Sequence, residues 1–162
     1  MEKGSSTLEV VMMMVLLILF AGAIYTMIYA TSITQSSIQS EKEAQSNSRV
    51  ATSYMNVKIK QNDRQNKIVI EKNPITDENA LVIIDEFGDG MYNTWIYLED
   101  GILQEQLVTT GFTPESGLGF EIAELTSFNI TQEDNKIYTT IEYQENEKEY
   151  SLDSIYALKS AQ

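Results

Sequence analysis

The stretch that decides the fold is residues 10–30, VVMMMVLLILFAGAIYTMIYA, which contains 21 residues and no charged side chain. A helix rises about 1.5 Å per residue, so this stretch would cover roughly the hydrocarbon core of a bilayer. A helix in the core of a soluble protein is seldom apolar on all sides over this length. The stretch therefore predicts a helix that contacts lipid or other protein chains.

Three membrane interpretations compete for this segment: a cleaved secretory signal peptide, a permanent single-pass anchor, and a processed helix of the prepilin type. A signal peptide would be cut near Ala21-Gly22-Ala23, where small residues lie together. Such a cut would leave a new N-terminus at Ile24, at the start of another apolar run. This outcome disfavours the signal peptide.

A single acid, Glu9, lies at the start of the apolar run. Near mid-bilayer an ionised carboxylate costs on the order of 2.5–3.5 kcal/mol by insertion scales, so an acid there needs a partner. The preceding sequence is Met1-Glu2-Lys3-Gly4 followed by Ser5-Ser6-Thr7-Leu8. These residues frame Glu9 with a short charged leader that ends in glycine.

On these residues the N-terminus resembles the type IV pilin family, including the pseudopilins of type II secretion and competence systems. The resemblance implies that a prepilin peptidase cuts after Gly4, and that Ser5 becomes the methylated N-terminus. Glu9, then the fifth mature residue, would pair with a neighbouring subunit's terminal ammonium and neutralise both charges in an apolar core. Further implied partners are other pilin or pseudopilin subunits and an inner-membrane assembly platform with its ATPase. Ser5 departs from the Phe or Met that the family usually has at this position. Tight-adherence pilin-like proteins share the glycine and the glutamate, so they are a second family that the N-terminus resembles.

The helix is predicted to continue beyond the membrane. Residues 31–48 are polar and rich in serine, which predicts a bend or a melted turn. The next residues repeat apolar side chains at the three- and four-residue spacing of an amphipathic helix: Val50, Ala51, Tyr54 and Val57. We expect four regions: a leader (1–4), an apolar helix (5–30), its amphipathic continuation (31–62) and a globular head (63–162).

From Lys67 onward, short β-branched and aromatic runs alternate with turn residues, as in an antiparallel meander. Asp100-Gly101 is a strong hairpin signal between the runs 91–99 and 102–109. A long helix followed by strands predicts an α+β fold, with the helix covering one face of an antiparallel sheet. Pilin-like proteins share this layout, and residues 97–103 and 128–130 resemble strand pieces of minor pseudopilins.

Composition excludes several function classes. The 162 residues carry 24 Asp and Glu against 11 Lys and Arg, a net charge of −13, with no His and no Cys. Disulfides, thiol nucleophiles and His/Cys zinc sites are therefore impossible, and the commonest general base is missing. The acidic surface argues against direct nucleic-acid binding. We therefore expect that the protein is not an enzyme.

Three clusters carry candidate chemistry. Residues 85–90, DEFGDG, offer calcium ligands at Asp85, Glu86 and Asp89, although the same residues also suit a plain acidic loop. Four glutamates around one turn suggest acid–base work or, alternatively, a solvated strand edge: Glu142, Glu145, Glu147 and Glu149. Trp95 and Tyr97 share one strand face, with Tyr92 on the other, and suggest either a binding platform or ordinary packing.

The lead hypothesis is a structural subunit of a type IV pilus-like, competence or type II secretion-like filament. It would be a single-pass protein of the cell membrane with its head outside, and later part of a surface or envelope-spanning filament. The alternative is an uncleaved membrane-anchored extracytoplasmic binding module, with calcium as its candidate ligand. No other cofactor is expected.

Overall fold

The computed structural model describes residues 3–88, 90–145 and 148–159. One long helix, α1 (Lys3–Gln61), precedes the strands, close to the predicted bounds. It stays helical through residues 31–48, so the melted turn that was the alternative to a bend near residues 32–48 is absent. Propensity is overridden there because extending an existing helix costs less than nucleating one. By internal contacts the chain divides into two units, one ending at Ser40 and one beginning at Glu41.

The described residues form eight strands, all antiparallel to their neighbours, and the predicted α+β class is confirmed. They are β1 (Ile68–Lys72), β2 (Asn79–Phe87), β3 (Gly90–Glu99), β4 (Ile102–Thr109), β5 (Phe120–Glu124), β6 (Ser127–Glu133), β7 (Lys136–Glu145) and β8 (Lys148–Ala157). The first five form one sheet and the last three a second, each in chain order. The predicted hairpin at Asp100-Gly101 is present, and both residues have positive φ, as a tight two-residue hairpin requires.

The chain passes from the first sheet to the second at two neighbouring residues. The amide of Leu125 donates to the Gly101 carbonyl at 2.8 Å, beside the β3–β4 hairpin. The next amide, that of Thr126, donates at 2.8 Å to the Glu142 carbonyl in β7. Two successive amides thus donate to different sheets. The chain leaves the first sheet at this point, and β6 pairs with β7 in the second sheet.

The main core lies between α1, the inner face of the first sheet and the second sheet. The second half of α1 contributes Ala51, Met55 and Ile59, which are spaced four residues apart and completely or almost completely buried. The sheets contribute further aliphatic residues, among them Leu81, Ile83, Ile96, Leu103, Ile130, Ile137 and Ile141. Full burial of one such side chain contributes about 1.5–3 kcal/mol, so this stripe holds the second half of the helix on the sheet.

A polar latch on β4 supports the same contact. Lys58 Nζ lies 2.6 Å from Glu105 Oε2, and the Tyr54 hydroxyl donates to the same carboxylate. Burial raises the pKa of Tyr54, and the hydrogen bond to Glu105 raises it further. Glu105 therefore ties two helical turns to the first sheet.

Candidate functional site

The apolar segment of α1, Leu8–Ile28, is long and apolar enough to cross a membrane, and none of it is buried within the described chain. Leu17 and Ile18 expose 62% and 70% of their surface. Leaving such side chains in water forfeits about 1.5–3 kcal/mol each. The segment therefore requires lipid or protein around it. Both a membrane anchor and a signal sequence would place it in lipid.

The two non-aromatic polar side chains of this segment, Thr26 and Glu9, differ in how they suit a lipid environment. The Thr26 hydroxyl donates to the carbonyl of Ala23 at 2.9 Å, so it needs no water. Glu9 is the single charged residue in the sequence from Leu8 to Ile28, and its side chain is exposed. A carboxylate here calls for a cation from outside the segment.

The three predicted processing and assembly residues share the first turns of α1. The helix includes the backbone of Gly4 and Ser5 as well as Glu9. Ser5 and Glu9 are four residues apart, which corresponds to about 6 Å along the helix axis. A cut after Gly4 would place a new amine about one turn before the carboxylate.

The predicted acidic loop is shorter than expected. Strand β2 continues to Phe87, so Asp85 and Glu86 are consecutive strand residues and their side chains point to opposite faces of the sheet. The prediction of a loop from Asp85 was wrong because pairing of β2 with β3 continues to Phe87 and Gly90. Lys67 Nζ contacts Asp85 Oδ1, which gives this carboxylate a cationic partner.

The third predicted calcium ligand, Asp89, lies outside the described residues. Within the described ranges no three His, Cys, Asp or Glu side chains gather as metal ligands would. The calcium site stays a prediction.

The side chains of Trp95 and Tyr97 are packed in a buried cluster and do not form an open binding platform. Both lie on the outer face of the first sheet, away from α1, where they pack with Ala80 and Val82. Trp95 is 5% exposed and Tyr97 is 1% exposed. The packing interpretation is confirmed, with the sheet itself and not the helix as the main partner.

A buried polar network beside this cluster was missed from the sequence. Glu99 accepts hydrogen bonds from Gln104 Nε2 and from the Ser116 hydroxyl. Gln106 Oε1 accepts from the Tyr97 hydroxyl at 3.1 Å and from the Glu115 amide at 3.0 Å. The alternation of side chains along β3 could have indicated this network, because it places Glu99 on the same face as Trp95 and Tyr97.

These bonds hold residues 110–119, here called the strap, across the outer face of the first sheet. Pro114 of the strap is buried. Gly119 lies so close to Gln104 that an added Cβ would come within 2.2 Å of its side-chain oxygen. The glycines at both ends of residues 111–119, together with Pro114, predict a loop over these residues, but they do not predict its attachment to the sheet. Burial, and secondarily the nearby Glu99, raises the pKa of Tyr97 to about 12.

The glutamates of the second sheet lie at a solvated hairpin. Glu142 and Glu149 are exposed on β7 and β8, Glu145 is opposite Lys148, and Glu147 lies outside the described residues. β8 is one of the two edge strands of its sheet, where charged side chains discourage pairing with foreign strands. This arrangement agrees with the interpretation as a solvated edge.

Comparison with known proteins gives one family. Residues 46–144, from the second half of α1 to β7, match the family described as "Domain of unknown function (DUF4860)". Searches of curated proteins and of solved structures gave no significant match.

Proposed function

Because this chain belongs to the DUF4860 family, whose match begins only at residue 46, we propose a function from the segment that precedes the matched domain. The protein is a pilin-like structural subunit, a pseudopilin, of a type IV pilus-like, competence or type II secretion-like filament. It is inserted in the membrane as a precursor, processed after Gly4, and assembled through its N-terminal helix. Its role is mechanical and not catalytic.

One observation carries the proposal: an apolar helix that the fold leaves unburied, with one carboxylate five residues after Gly4. A plain anchor needs the apolar residues but has no use for Glu9. A filament subunit uses both, because the new amine of one chain neutralises the carboxylate of another. The head supports the same interpretation, since the second half of α1 packs on antiparallel sheets, which is the layout that the resemblance to pilin-like proteins implies.

The partners follow from the processing and assembly steps. A prepilin peptidase would cleave the precursor, and other pilin or pseudopilin subunits would surround the apolar helix. A membrane platform with its ATPase would drive extraction from the bilayer. The sequence from Asn73 onward contains 18 acids and three lysines, so direct nucleic-acid capture by this subunit is not part of the proposal.

The experiment replaces Glu9 in the full chain and measures assembly in the native host. We expect Glu9→Ala to leave the amount of membrane-inserted protein unchanged and to lower its amount in sheared filaments about a hundredfold. This loss corresponds to breaking a buried ion pair, on the order of 3 kcal/mol.

The matched control is Glu43→Ala, which removes another exposed acid of the same helix. This variant should assemble as the wild type does. Normal assembly of Glu9→Ala would contradict the role of Glu9 and favour the uncleaved anchor.

A further inference from the structure

Charge is distributed unevenly between the helix side and the sheet side of the head. Residues 73–135, which include β2 to β6, contain 13 Asp and Glu and no Lys or Arg. Residues 42–72, which include the second half of α1, contain seven Lys and Arg and three acids. Lys58, Lys67 and Lys72 already pair with Glu105, Asp85 and Asp77. Among the helix side chains that the structure describes, Arg49 and Lys60 remain as exposed cations, and both surfaces also have exposed apolar side chains.

The first of the two surfaces is the strap, which carries the acid Glu115. The buried Pro114 and the bonds of Glu115 and Ser116 to the sheet fix its backbone. Phe112 and Leu118 nevertheless remain 70% and 65% exposed. A strap that is held in place but displays large apolar side chains has the features of a contact surface. Exposed Glu115 and Glu121 give it a negative border.

The basic surface is the solvent side of α1. Val57 lies two residues after the buried Met55, about 200° around the helix, and Val50 lies two turns before Val57 on the same side. These valines are 47% and 45% exposed and line a shallow groove of about 420 Å³ with Ser46, Ser53, Tyr54 and Arg49. Arg49 is exposed in the groove, and exposed Lys60 lies three residues after Val57, close to one turn further along the helix.

The two surfaces lie on opposite sides of the first sheet. The helix covers the inner face through Met55 and its neighbours, whereas the strap covers the outer face through Gln106 and Glu99. Within one copy the two surfaces adjoin only at the β5 edge, where Glu121 and Ser46 line a common pocket, and the strap and the groove valines stay on opposite sides of the sheet. Different complementary patches on one chain make a heterologous contact, which either closes as a ring or continues as an open filament.

We propose that the strap of one copy docks on the helix groove of the next copy, with Phe112 and Leu118 against Val50 and Val57. Arg49 and Lys60 of one chain then face Glu115 and Glu121 of the other. Opposite charges fix the orientation of the contact, and like charges oppose strap-to-strap and helix-to-helix pairing. This inference rests on the proposed function, because it supplies the head contact of the same filament.

The absence of cysteine in the natural chain allows a direct test. Full-length Val57→Cys and Leu118→Cys chains with different tags are produced together in the host, and membranes are treated with a mild oxidant. A disulfide forms only where Cα atoms approach to roughly 4.4–6.8 Å. We expect a mixed-tag dimer about tenfold above that of a control pair, Val57→Cys with Ile155→Cys, because docking raises the local thiol concentration. Ile155 is 64% exposed on β8, so the control thiol is equally accessible.

Charge reversal gives a second readout that simple proximity would not produce. Adding Arg49→Glu and Lys60→Glu to the Val57→Cys chain should lower the cross-linked fraction about tenfold. Adding Glu115→Lys and Glu121→Lys to the Leu118→Cys chain should restore it. All four residues are exposed, so the core is unaffected.

The outcomes separate this inference from the proposed function. A mixed dimer that disappears with Glu9→Ala supports both, and a mixed dimer that persists with Glu9→Ala supports the docking but contradicts its dependence on the filament. A yield equal to the control pair, in cells whose chain is processed and assembled, overturns the docking alone. Cross-linking of Leu118→Cys to a different protein, without the mixed-tag dimer, also overturns it.

Discussion

The two halves of α1 share one secondary structure and differ in everything that packing decides. In the first half, Leu17 is 62% exposed and its neighbours are similar on every side. In the second half, Met55 is completely buried and Val57, two residues later, is half-exposed. The comparison shows that helix formation does not reveal where a helix finds its partner. The second half finds it within the chain, and the first half must find it outside.

The sequence of each half explains the difference. Residues 10–30 are apolar at nearly every position, so no single side is directed to a sheet. From Ala51 the apolar stripe instead repeats every fourth residue, which matches one helical face. A stripe suits a flat sheet, whereas an apolar surface all round suits lipid or a ring of neighbouring helices.

The largest expected effect comes from shortening one buried side chain of the second half. Met55→Ala should lower the free energy of unfolding of the head by about 2–5 kcal/mol, because it leaves a cavity between α1 and the first sheet. Leu17→Ala, the matched change in the first half, should alter it by less than about 0.5 kcal/mol. Denaturant unfolding of the full chain in detergent would be followed by the fluorescence of Trp95, the sole and buried tryptophan.

Val57→Ala provides the control within the second half, because it removes methyl groups from the solvent side of the same helix. It should behave like Leu17→Ala. Equal losses for Met55→Ala and Leu17→Ala would mean that the first half also stabilises the head, and the contrast between the halves would fail.

A smaller effect is expected at high pH on the sheet side of the head. The pKa of Tyr97 is raised to about 12 by burial and by Glu99, while an unfolded tyrosine ionises near pH 10. The folded state therefore holds this proton more tightly, and its contribution is complete below about pH 10 and is lost between about pH 10 and 12.

Thermal unfolding from pH 9 to pH 12 would measure this loss. The Tm of the wild type should fall more steeply above pH 10 than that of Tyr97→Phe. Tyr54, whose pKa is also raised, contributes to the same fall and remains in both proteins. Identical slopes for the two proteins would contradict the burial of the Tyr97 hydroxyl beside Glu99.

Local signals predicted much of this fold. Apolar runs and turn residues gave the long helix, most strands and the Asp100-Gly101 hairpin, because each depends on neighbouring residues alone. The split into two sheets was not predictable, since it depends on the amides of Leu125 and Thr126 bonding to distant strands. Sequence patterns fix which residues alternate, but they do not fix which strands pair.

The candidate sites also differ in whether they depend on neighbouring residues or on tertiary contacts. The roles of Gly4, Ser5 and Glu9 come from a resemblance carried by the first residues of the chain, and they stay predictions; the backbone of all three lies in α1. The acidic run at Asp85 was misjudged because the β2–β3 pairing, which is a tertiary contact, extends the strand to Phe87. The strap was seen as a loop, but its anchors lie on β3 and β4, where only the fold brings them to it.

The most direct test of the account is the mass of the mature N-terminus in the native host. The full-length protein, purified from membranes of cells with an active prepilin peptidase, should begin at Ser5, and cells without the peptidase should retain Met1. Methylation would add one methyl mass to the Ser5 amine. A chain that keeps Met1 in the presence of the peptidase, or one that begins at Ile24, would contradict the account.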